Sequence, residues 1–277
     1  MGIEIYHALP IRRFFLNDAD LKRAQRRIKN PRYHDCLKKI YPPEFLPSGI
    51  DDPYGSIEIA GGSWVNVPFL LKSLKEYFKS SGRYIESYFD TNRLGKKNSE
   101  TAPWHYEGLE IKNIIFCQGI HALKNRYFSN LPITPIKGDT LSFKLKALNI
   151  SEGLYYKKRW LQAVRTPSED TLFRLGATYD EHNLDLAPSN KAKLELLETL
   201  KNMLRRDLDP EIIEHKSGIR PTSANARPFI IQHPEHKTLY AINGLGSKGT
   251  STAPTLSEAL SKHLCTSAPL PNFLSLS

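Results

Sequence analysis

Apolar residues recur at helical spacing in four stretches of the chain, and polar residues fill the positions between them. In residues 17–29, Leu21, Ala24 and Ile28 fall on one side of a helix that Asn17 is placed to cap. Residues 65–82, 188–206 and 249–265 show the same spacing, which predicts four amphipathic helices in all. The positions expected to face the core in these three further helices are Val67, Leu70, Leu71, Leu74 and Phe78; Leu194, Leu197, Leu200 and Leu204; and Leu256, Leu260 and Leu264.

The segments between the helices contain runs that are typical of strands. Residues 111–119 form a near-continuous apolar run ending in glycine, as expected of a strand buried on both faces. Residues 137–148 alternate, which predicts a half-exposed strand. Its inward positions are Leu141, Phe143 and Leu145, and its outward positions are Ser142, Lys144 and Lys146. Further strands are predicted at 56–59, 171–180 and in both halves of 228–243. The irregular order of strands and helices predicts a mixed α/β (α+β) fold.

The composition is that of a folded, water-soluble protein. Of its 277 residues, 40% are hydrophobic and 25% are charged. No apolar run approaches the roughly 18 residues of a membrane span, and the N-terminus lacks the charged-then-apolar order of a signal peptide. Cys36, Cys117 and Cys265 lie far apart without a CxxC pair. We therefore expect reduced thiols, no metal site, no membrane association and a cytoplasmic location.

The formal net charge of +10 has two interpretations. Clustered Lys and Arg can displace counterions from nucleic-acid phosphates, or they can form the solvated face of a helix in a basic protein. Aromatic residues are not interleaved with these charges, as a platform for stacking single-stranded bases requires. The solvated face is favoured, and nucleic-acid binding is not expected. Much of the charge lies early in the chain, in Arg12, Arg13, Lys22, Arg23, Arg26, Arg27, Lys29, Arg32, Lys38 and Lys39.

A glycine-rich loop separates the last predicted strand from the last predicted helix. Its residues, Gly244, Leu245, Gly246, Ser247, Lys248 and Gly249, satisfy G-x-G-x-x-G. A dinucleotide fingerprint would need a second strand and an acidic residue about 20 positions later. Only 28 residues follow Gly249, and none after Glu258 is acidic. The loop is therefore another kind of turn at a helix N-terminus, where backbone N–H groups can hold an anionic ligand or serve only structure.

Several motifs in series carry a family resemblance. GIRP at 218–221, ARPFI at 226–230 and NGLGSKG at 243–249 stand in this order. The series resembles the C-terminal signature of the FAD-dependent D-amino-acid oxidase family, which includes glycine and sarcosine oxidases. GGSWVNVPFLLKSL at 61–74 and IIFCQGIHA at 114–122 extend the resemblance over nearly the whole chain.

The resemblance implies FAD as cofactor and oxidation of a C–N bond in a small amino acid or secondary amine by hydride transfer to the flavin. By position, Arg220 would grip a substrate carboxylate, because its planar fork suits two parallel hydrogen bonds. The residues that would lie along the cofactor are Gly119, Gly244, Leu245, Gly246, Ser247, Lys248 and Gly249. Tyr88 or Phe89 would pass the adenine. Tyr155, Tyr156 and Tyr179 are candidate donors to the substrate, with ordinary packing an equal alternative.

The resemblance also implies two interleaved lobes. Residues 60–136 and 218–277 would form an incomplete, Rossmann-like FAD-binding lobe, and residues 1–59 and 137–217 a substrate lobe built on an antiparallel sheet. The family's opening strand, G-x-G-x-x-G turn and helix are not in this sequence, so we expect a truncated form. A partner chain or a second copy would then complete the FAD site.

Two positions depart from the family pattern, and two other functions stay open. Asn225 stands where the family often has aspartate, and Ile231 where it usually has glycine. One rival is a tRNA-modifying oxidase of the same family that acts on a wobble uridine. The other is a non-catalytic binding subunit that retains the fold without the cofactor.

Overall fold

The computed structural model describes residues 5–45, 49–95, 102–145, 153–165, 171–204 and 209–271. The helices in these ranges are α1 (Asp18–Ile28), α2 (Val67–Ser80), α3 (Asn190–Met203) and α4 (Gly249–Thr266). The strands are β1 (Tyr6–Ala8), β2 (Ile11–Phe14), β3 (Leu37–Tyr41), β4 (Ser56–Ile59), β5 (Ser63–Val65), β6 (Trp104–Tyr106), β7 (Leu109–Ile111), β8 (Ile114–Phe116), β9 (Ile133–Lys144), β10 (Gly153–Lys157), β11 (Arg159–Arg165), β12 (Thr171–Gly176), β13 (Glu211–Ser223), β14 (Phe229–Gln232) and β15 (Leu239–Asn243). The mixed α/β fold class is confirmed.

The chain forms two compact units. The first contains Met1–Ser73, Lys137–Asp180 and Asp185–Gly218, and the second contains Leu74–Ile136, Glu181–Leu184 and Ile219–Ser277. The assignment of one predicted lobe to substrate and the other to FAD stays a prediction. No helix in the described part of the chain is long and apolar enough to cross a bilayer.

The first unit is built on an eight-stranded sheet in the order β13-β9-β12-β11-β10-β2-β4-β3. From β9 to β3 in this order, neighbouring strands are antiparallel, except that β10 and β2 run parallel. One face packs against α3 and holds the largest core of this unit. That core includes Leu141, Phe143, Leu161, Phe173 and Leu175 from the sheet and Leu196, Leu200 and Met203 from α3. Since inward residues alternate with outward ones, the opposite face carries the more polar side chains.

The alternation predicted for residues 137–148 is confirmed in the described part of that strand. Leu141, Phe143 and Leu145 are buried, while Ser142 and Lys144 are half-buried. Lys146 lies outside the described residues.

The second unit is built on a three-stranded sheet in the order β14-β15-β8. β14 and β15 are antiparallel, whereas β15 and β8 run parallel. Leu256 and Leu260 of α4 pack against Ile230 and Tyr240 of the sheet. A second core contains Phe116, Phe229 and Ala241 from the strands together with Trp104 and Phe128. The prediction that the 111–119 strand is buried on both faces is wrong at Ile115, which is 41% exposed because β8 is an edge strand.

The predicted faces of α1 and α4 are confirmed. Asn17 caps α1 by accepting the N–H of Asp20 through its side-chain oxygen (3.0 Å), and Ala24 is buried. Leu256 and Leu260 are buried, and Leu264 packs against the same cluster. Local sequence decides these helices because each carries a single apolar stripe.

The predicted faces of α2 and α3 need correction. In α3 the prediction is wrong at Leu194, which is 59% exposed, but it is confirmed at Leu200 and Leu204, which are buried, and at Leu197, which packs against the same core. Ala192, Leu196 and Met203 are buried as well, so the sheet covers Leu196 and leaves Leu194 exposed. α2 forms as predicted, with the Asn66 side chain accepting the Phe69 N–H (3.3 Å), but none of its residues is buried. Its predicted inward stripe is exposed at Val67, Leu71, Leu74 and Phe78.

Candidate functional site

The glycine loop lies at one edge of the sheet in the second unit. β15 ends at Asn243 and continues into Gly244, while the parallel β8 ends at Phe116 and leads to Gly119. Because the two strands run in the same direction, both turns emerge at the same edge. Ligands of open α/β sheets bind at this carboxyl edge.

Asn243 joins the two turns. Its side chain is completely buried, its Nδ2 donates to the carbonyl oxygen of Gly119 (2.9 Å), and its Oδ1 accepts the N–H of Gly244 (2.9 Å). A buried amide with both ends paired holds the two backbones in fixed relative positions. Sequence reasoning missed this residue, although its place as the last polar residue of an apolar strand was a usable signal.

The loop is also tied to the end of β13. Gly246 donates its N–H to the carbonyl oxygen of Pro221 (3.0 Å), and Leu245 forms a bridge with Thr222. Gly244 (φ 72°) and Gly246 (φ 53°) adopt left-handed conformations that glycine tolerates best. A Cβ at Gly244 would lie 2.8 Å from the Phe229 ring, but one at Gly246 would meet only Thr222 Oγ1, at 3.6 Å. The loop is therefore packed on one side and open on the other.

The N-terminus of α4 follows directly. Lys248 is its N-cap residue, no side chain caps the helix, and Ser247 and Lys248 are exposed. Uncapped N–H groups and the helix dipole favour an anionic group here. The space beside Gly119, Gly246 and Gly249 is also open, since a Cβ at each would touch nothing closer than 3.6 Å. The predicted cofactor residues fit a phosphate-bearing cofactor on these grounds.

The structure brings Gly119 and the loop residues 244–249 together in one unit. Arg220 lies half-buried near the end of β13 in the same unit, and its role as the carboxylate-binding residue stays a prediction. Tyr88 is 88% exposed, while Phe89 stacks on Tyr106 with 4.3 Å between ring centroids. Their predicted place beside the adenine is likewise untested.

The two departures from the family pattern have ordinary structural roles. Asn225 Oδ1 accepts the backbone N–H of Arg227 (3.0 Å) and lies 3.1 Å from Ser223 Oγ. An aspartate would accept the same bonds. Ile231 lies on β14 opposite Ala241 and packs against the core that contains Phe229.

A second candidate site lies in the first unit, on the sheet face opposite α3. A cavity of about 920 Å³ opens there. Its floor is made by two adjacent rows of side chains that run across β12, β11, β10 and β2. One row contains Arg174, Gln162, Leu154 and Ile11, and the next contains Trp160, Tyr156 and Arg13. Residues in register on neighbouring strands share a face, so the sheet itself aligns these groups.

The cavity is rich in hydrogen-bond donors. Gln162 is only 4% exposed, and its Nε2 has no hydrogen-bond partner among the described residues; the same is true of the buried Nε1 of Trp64. Arg174 and Arg13 add two guanidinium groups, and no Asp or Glu occurs among the described residues of the lining. Sequence reasoning missed this set, because alternation in β11 shows only that Trp160 and Gln162 face away from the core.

The three tyrosines proposed as donors to the substrate differ in their surroundings. Tyr155 is 5% exposed and stacks on Phe14 in the core, and it also borders the cavity. Tyr156 lines the cavity beside Arg13, whose guanidinium carbon lies 5.9 Å from the tyrosine ring centroid. Tyr179 is exposed, with Arg159 over its ring at 5.4 Å. Tyr155 and Tyr156 therefore border the cavity, and a donor role for any of the three tyrosines stays a prediction.

Comparison with known proteins identifies the family. The family model described as FAD dependent oxidoreductase (DAO) matches residues 3–263. The chain is 24% identical over 259 residues to the tRNA 5-methylaminomethyl-2-thiouridine biosynthesis bifunctional protein MnmC of Pseudomonas putida. That alignment covers 81% of this chain and 38% of the relative, so the chain spans well under two thirds of that protein.

Solved structures confirm the fold. Iminodiacetate oxidase from Chelativorans sp. BNC1 superposes with a TM-score of 0.76 at 21% identity, over 98% of this chain and 76% of the other. Glycine oxidase from Bacillus cereus superposes with a TM-score of 0.80 at 17% identity, over 98% and 78%. The family expected from the sequence motifs, and FAD as its cofactor, are confirmed.

Proposed function

The chain belongs to the FAD-dependent oxidoreductase family, and we propose that it oxidises the C–N bond of a small amino acid or secondary amine. The observation that carries the proposal is the open glycine loop at the uncapped N-terminus of α4, beside the carboxyl ends of two parallel strands. Such an edge suits a nucleotide cofactor. Oxidation of the C–N bond would give an imine, which water hydrolyses to a carbonyl compound and an amine.

The residues that would hold the cofactor come from three segments of the second unit. Gly119, Gly244 and Gly246 leave the backbone accessible, and the N-terminus of α4 offers N–H groups to an anionic part of FAD. Asn243 fixes the first two turns relative to each other. When bound, FAD would supply the acceptor for the hydride, and with it the two electrons, that leaves the carbon atom beside the nitrogen, while the nitrogen loses a proton.

Arg220 is the proposed carboxylate-binding residue. Arginine suits this task because it stays charged and presents paired N–H groups. The iminodiacetate oxidase and the glycine oxidase that resemble this chain in structure support an amine substrate with a carboxylate, since iminodiacetate and glycine both contain a C–N bond and at least one carboxylate.

A visible absorption spectrum of the purified chain, taken after incubation with FAD and desalting, tests the proposal first. We expect retained bands near about 370 and 450 nm, typical of protein-bound oxidised flavin. Iminodiacetate, glycine and sarcosine are then offered with an artificial electron acceptor. Arg220→Ala should raise KM about 100-fold, as expected for loss of a bidentate ion pair, whereas Arg26→Ala on the exposed face of α1 should not change it. A colourless protein would count against a self-sufficient FAD site and favour a partner chain or a non-catalytic subunit.

A second candidate function is oxidation of an aminomethyl group on a tRNA uridine. The likeness to MnmC over 81% of this chain favours it, as does the basic exposed face of α1. Binding of tRNA should then weaken steeply with salt, since each phosphate contact releases counterions. Filter binding at about 50 and 200 mM salt measures this, and absence of binding at the lower concentration would remove the candidate.

A further inference from the structure

The cavity in the first unit lacks the hydrogen-bond acceptors that its own side chains require. Gln162 Nε2 and Trp64 Nε1 are buried donors that find no acceptor in the described part of the chain. An unpaired buried donor loses its hydrogen bonds to water without replacement, so such groups in a folded protein call for an explanation. Two of them in one cavity indicate a ligand that supplies acceptor atoms.

The positive charge of the cavity favours an anionic group in that ligand over a cationic one. Arg174 is the direct cross-strand neighbour of Gln162, and no carboxylate occurs among the described lining residues. A protonated amine would be repelled here, whereas a carboxylate would accept from the guanidinium group, the amide and the indole together. A guanidinium group and a carboxylate match in geometry, which makes this pairing stronger than one between neutral groups.

The remaining lining residues indicate the chemical character of the group to which the carboxylate is attached. Ile11, Leu154 and Val65 provide apolar walls, and Trp160 and Tyr156 provide aromatic ones. These surfaces suit a short hydrocarbon arm. The cavity therefore offers a polar end for an anion and an apolar route towards it, the usual build of a small-molecule site.

We infer that this cavity binds a carboxylate at the end of a short aliphatic arm, with Arg174, Gln162 and Trp64 as its recognition residues. The inference rests on the proposed function in one respect, because the carboxylate arm belongs to the amine substrate only if the protein oxidises amines. The substrate class is then an amino acid or secondary amine that carries a carboxylate on a second arm. Arg174, Gln162 and Trp64 act as specificity-determining residues, and Arg220 remains a separate assignment.

Binding of glutarate to the 277-residue chain, compared with its uncharged isostere glutaramide, tests the inference. Isothermal titration calorimetry gives both affinities, and quenching of tryptophan fluorescence gives an independent reading. We expect glutarate to bind at least about tenfold more tightly than glutaramide, as charge-assisted hydrogen bonds imply. Equal affinities for the two compounds would overturn the inference.

Three variants identify the residues. Arg174→Ala should abolish the preference for glutarate, and Gln162→Leu and Trp64→Phe should each weaken glutarate binding about three- to tenfold. Trp64→Phe removes the indole N–H together with part of the ring system but keeps an aromatic ring to stack on His7, so it gives a second test if Arg174→Ala fails to fold. Unchanged glutarate affinity in both Gln162→Leu and Trp64→Phe would contradict the assignment. Arg26→Ala, which removes one exposed positive charge, is the matched control.

Glutarate has no C–N bond, so its binding is independent of amine oxidation. A clear preference for glutarate in a protein that oxidises no amine would overturn the proposed function and leave the carboxylate site standing. Oxidation of amines without any preference for glutarate would overturn the carboxylate site and leave the function standing.

Discussion

Individual side chains determine whether the glycine loop keeps its geometry. Asn243 is completely buried and pairs with Gly119 and Gly244 at once. Asn243→Ala should lower the free energy of unfolding by about 2–4 kcal/mol, because two buried backbone groups lose their partner. Urea unfolding followed by circular dichroism measures it.

Asn225→Ala is the control for this change. The Asn225 side chain also accepts a backbone N–H, from Arg227, but both residues are exposed and water can replace the bond. A loss below about 1 kcal/mol is expected there. Equal losses in the two variants would show that burial does not set the contribution of Asn243.

His233 makes stability depend on pH. Its Nδ1 accepts the backbone N–H groups of Glu235 and His236 (3.2 and 3.1 Å), so the turn between β14 and β15 needs the neutral imidazole. Burial and then the nearby His236 lower the pKa of His233 below its ordinary 6.5; Glu235 opposes them, and Lys237 adds the smallest lowering effect. The unfolded chain therefore takes up the proton first as the pH falls. Stability from this residue is complete above pH 6.5 and is lost as the pH falls through the lowered pKa.

His233→Asn tests this pH dependence, because its Oδ1 can accept the same N–H groups without titrating. Urea unfolding at about pH 5 and about pH 8 should show a smaller loss of stability at low pH in the variant than in the unchanged chain. An identical loss in both proteins would assign the pH dependence to other groups.

At the scale of elements, the sequence predicts which segments form helices better than it predicts which face of each helix packs against the core. The helices form where the periodicity places them, and α1 and α4 also present the expected faces. In α3 most of the predicted positions face the core, and only the position of the sheet decides that Leu196 is buried while Leu194 is exposed. The cavity could not be predicted from the sequence, because its lining also depends on how separate elements pack together. Gln162, Arg174 and Trp64 come from separate strands, and a single strand's alternation does not reveal which outward residues become neighbours.

Two leucines of α3 that differ in burial provide a matched pair of substitutions. Leu196 is 0% exposed and Leu194 is 59% exposed, on the same helix and two positions apart. Leu196→Ala should lower the free energy of unfolding by about 3–5 kcal/mol through lost burial and a cavity. Leu194→Ala should change it by less than about 0.5 kcal/mol, as exposed positions usually do. Denaturant unfolding measures both changes in stability. A larger loss for Leu194→Ala than for Leu196→Ala would show that Leu194, and not Leu196, packs against the sheet.

At the scale of the whole molecule, the glycine loop could be predicted because its residues lie close together in sequence. The family motifs keep their order from GIRP to NGLGSKG, and the structure joins them through Pro221, Thr222 and the loop. The expected truncation and the expected partner chain stay predictions. Both rest on the family motifs that this sequence does not contain, and no contact in the described residues bears on them.

The exposed stripe of α2 leads to the last prediction. Leu71, Leu74 and Phe78 are 59%, 42% and 39% exposed at helical spacing, and β8 is an edge strand. Exposed apolar stripes and strand edges favour association, so we expect this chain to dimerise. Sedimentation velocity over an about hundredfold range of concentration should show a shift from monomer to dimer. Leu74→Glu with Phe78→Glu should weaken the dimer at least about tenfold, because two charges would be buried at the interface, whereas Leu109→Glu, at another exposed leucine, should not. If the chain stays monomeric throughout, the stripe does not bind a second copy, and a different polypeptide becomes the partner to seek.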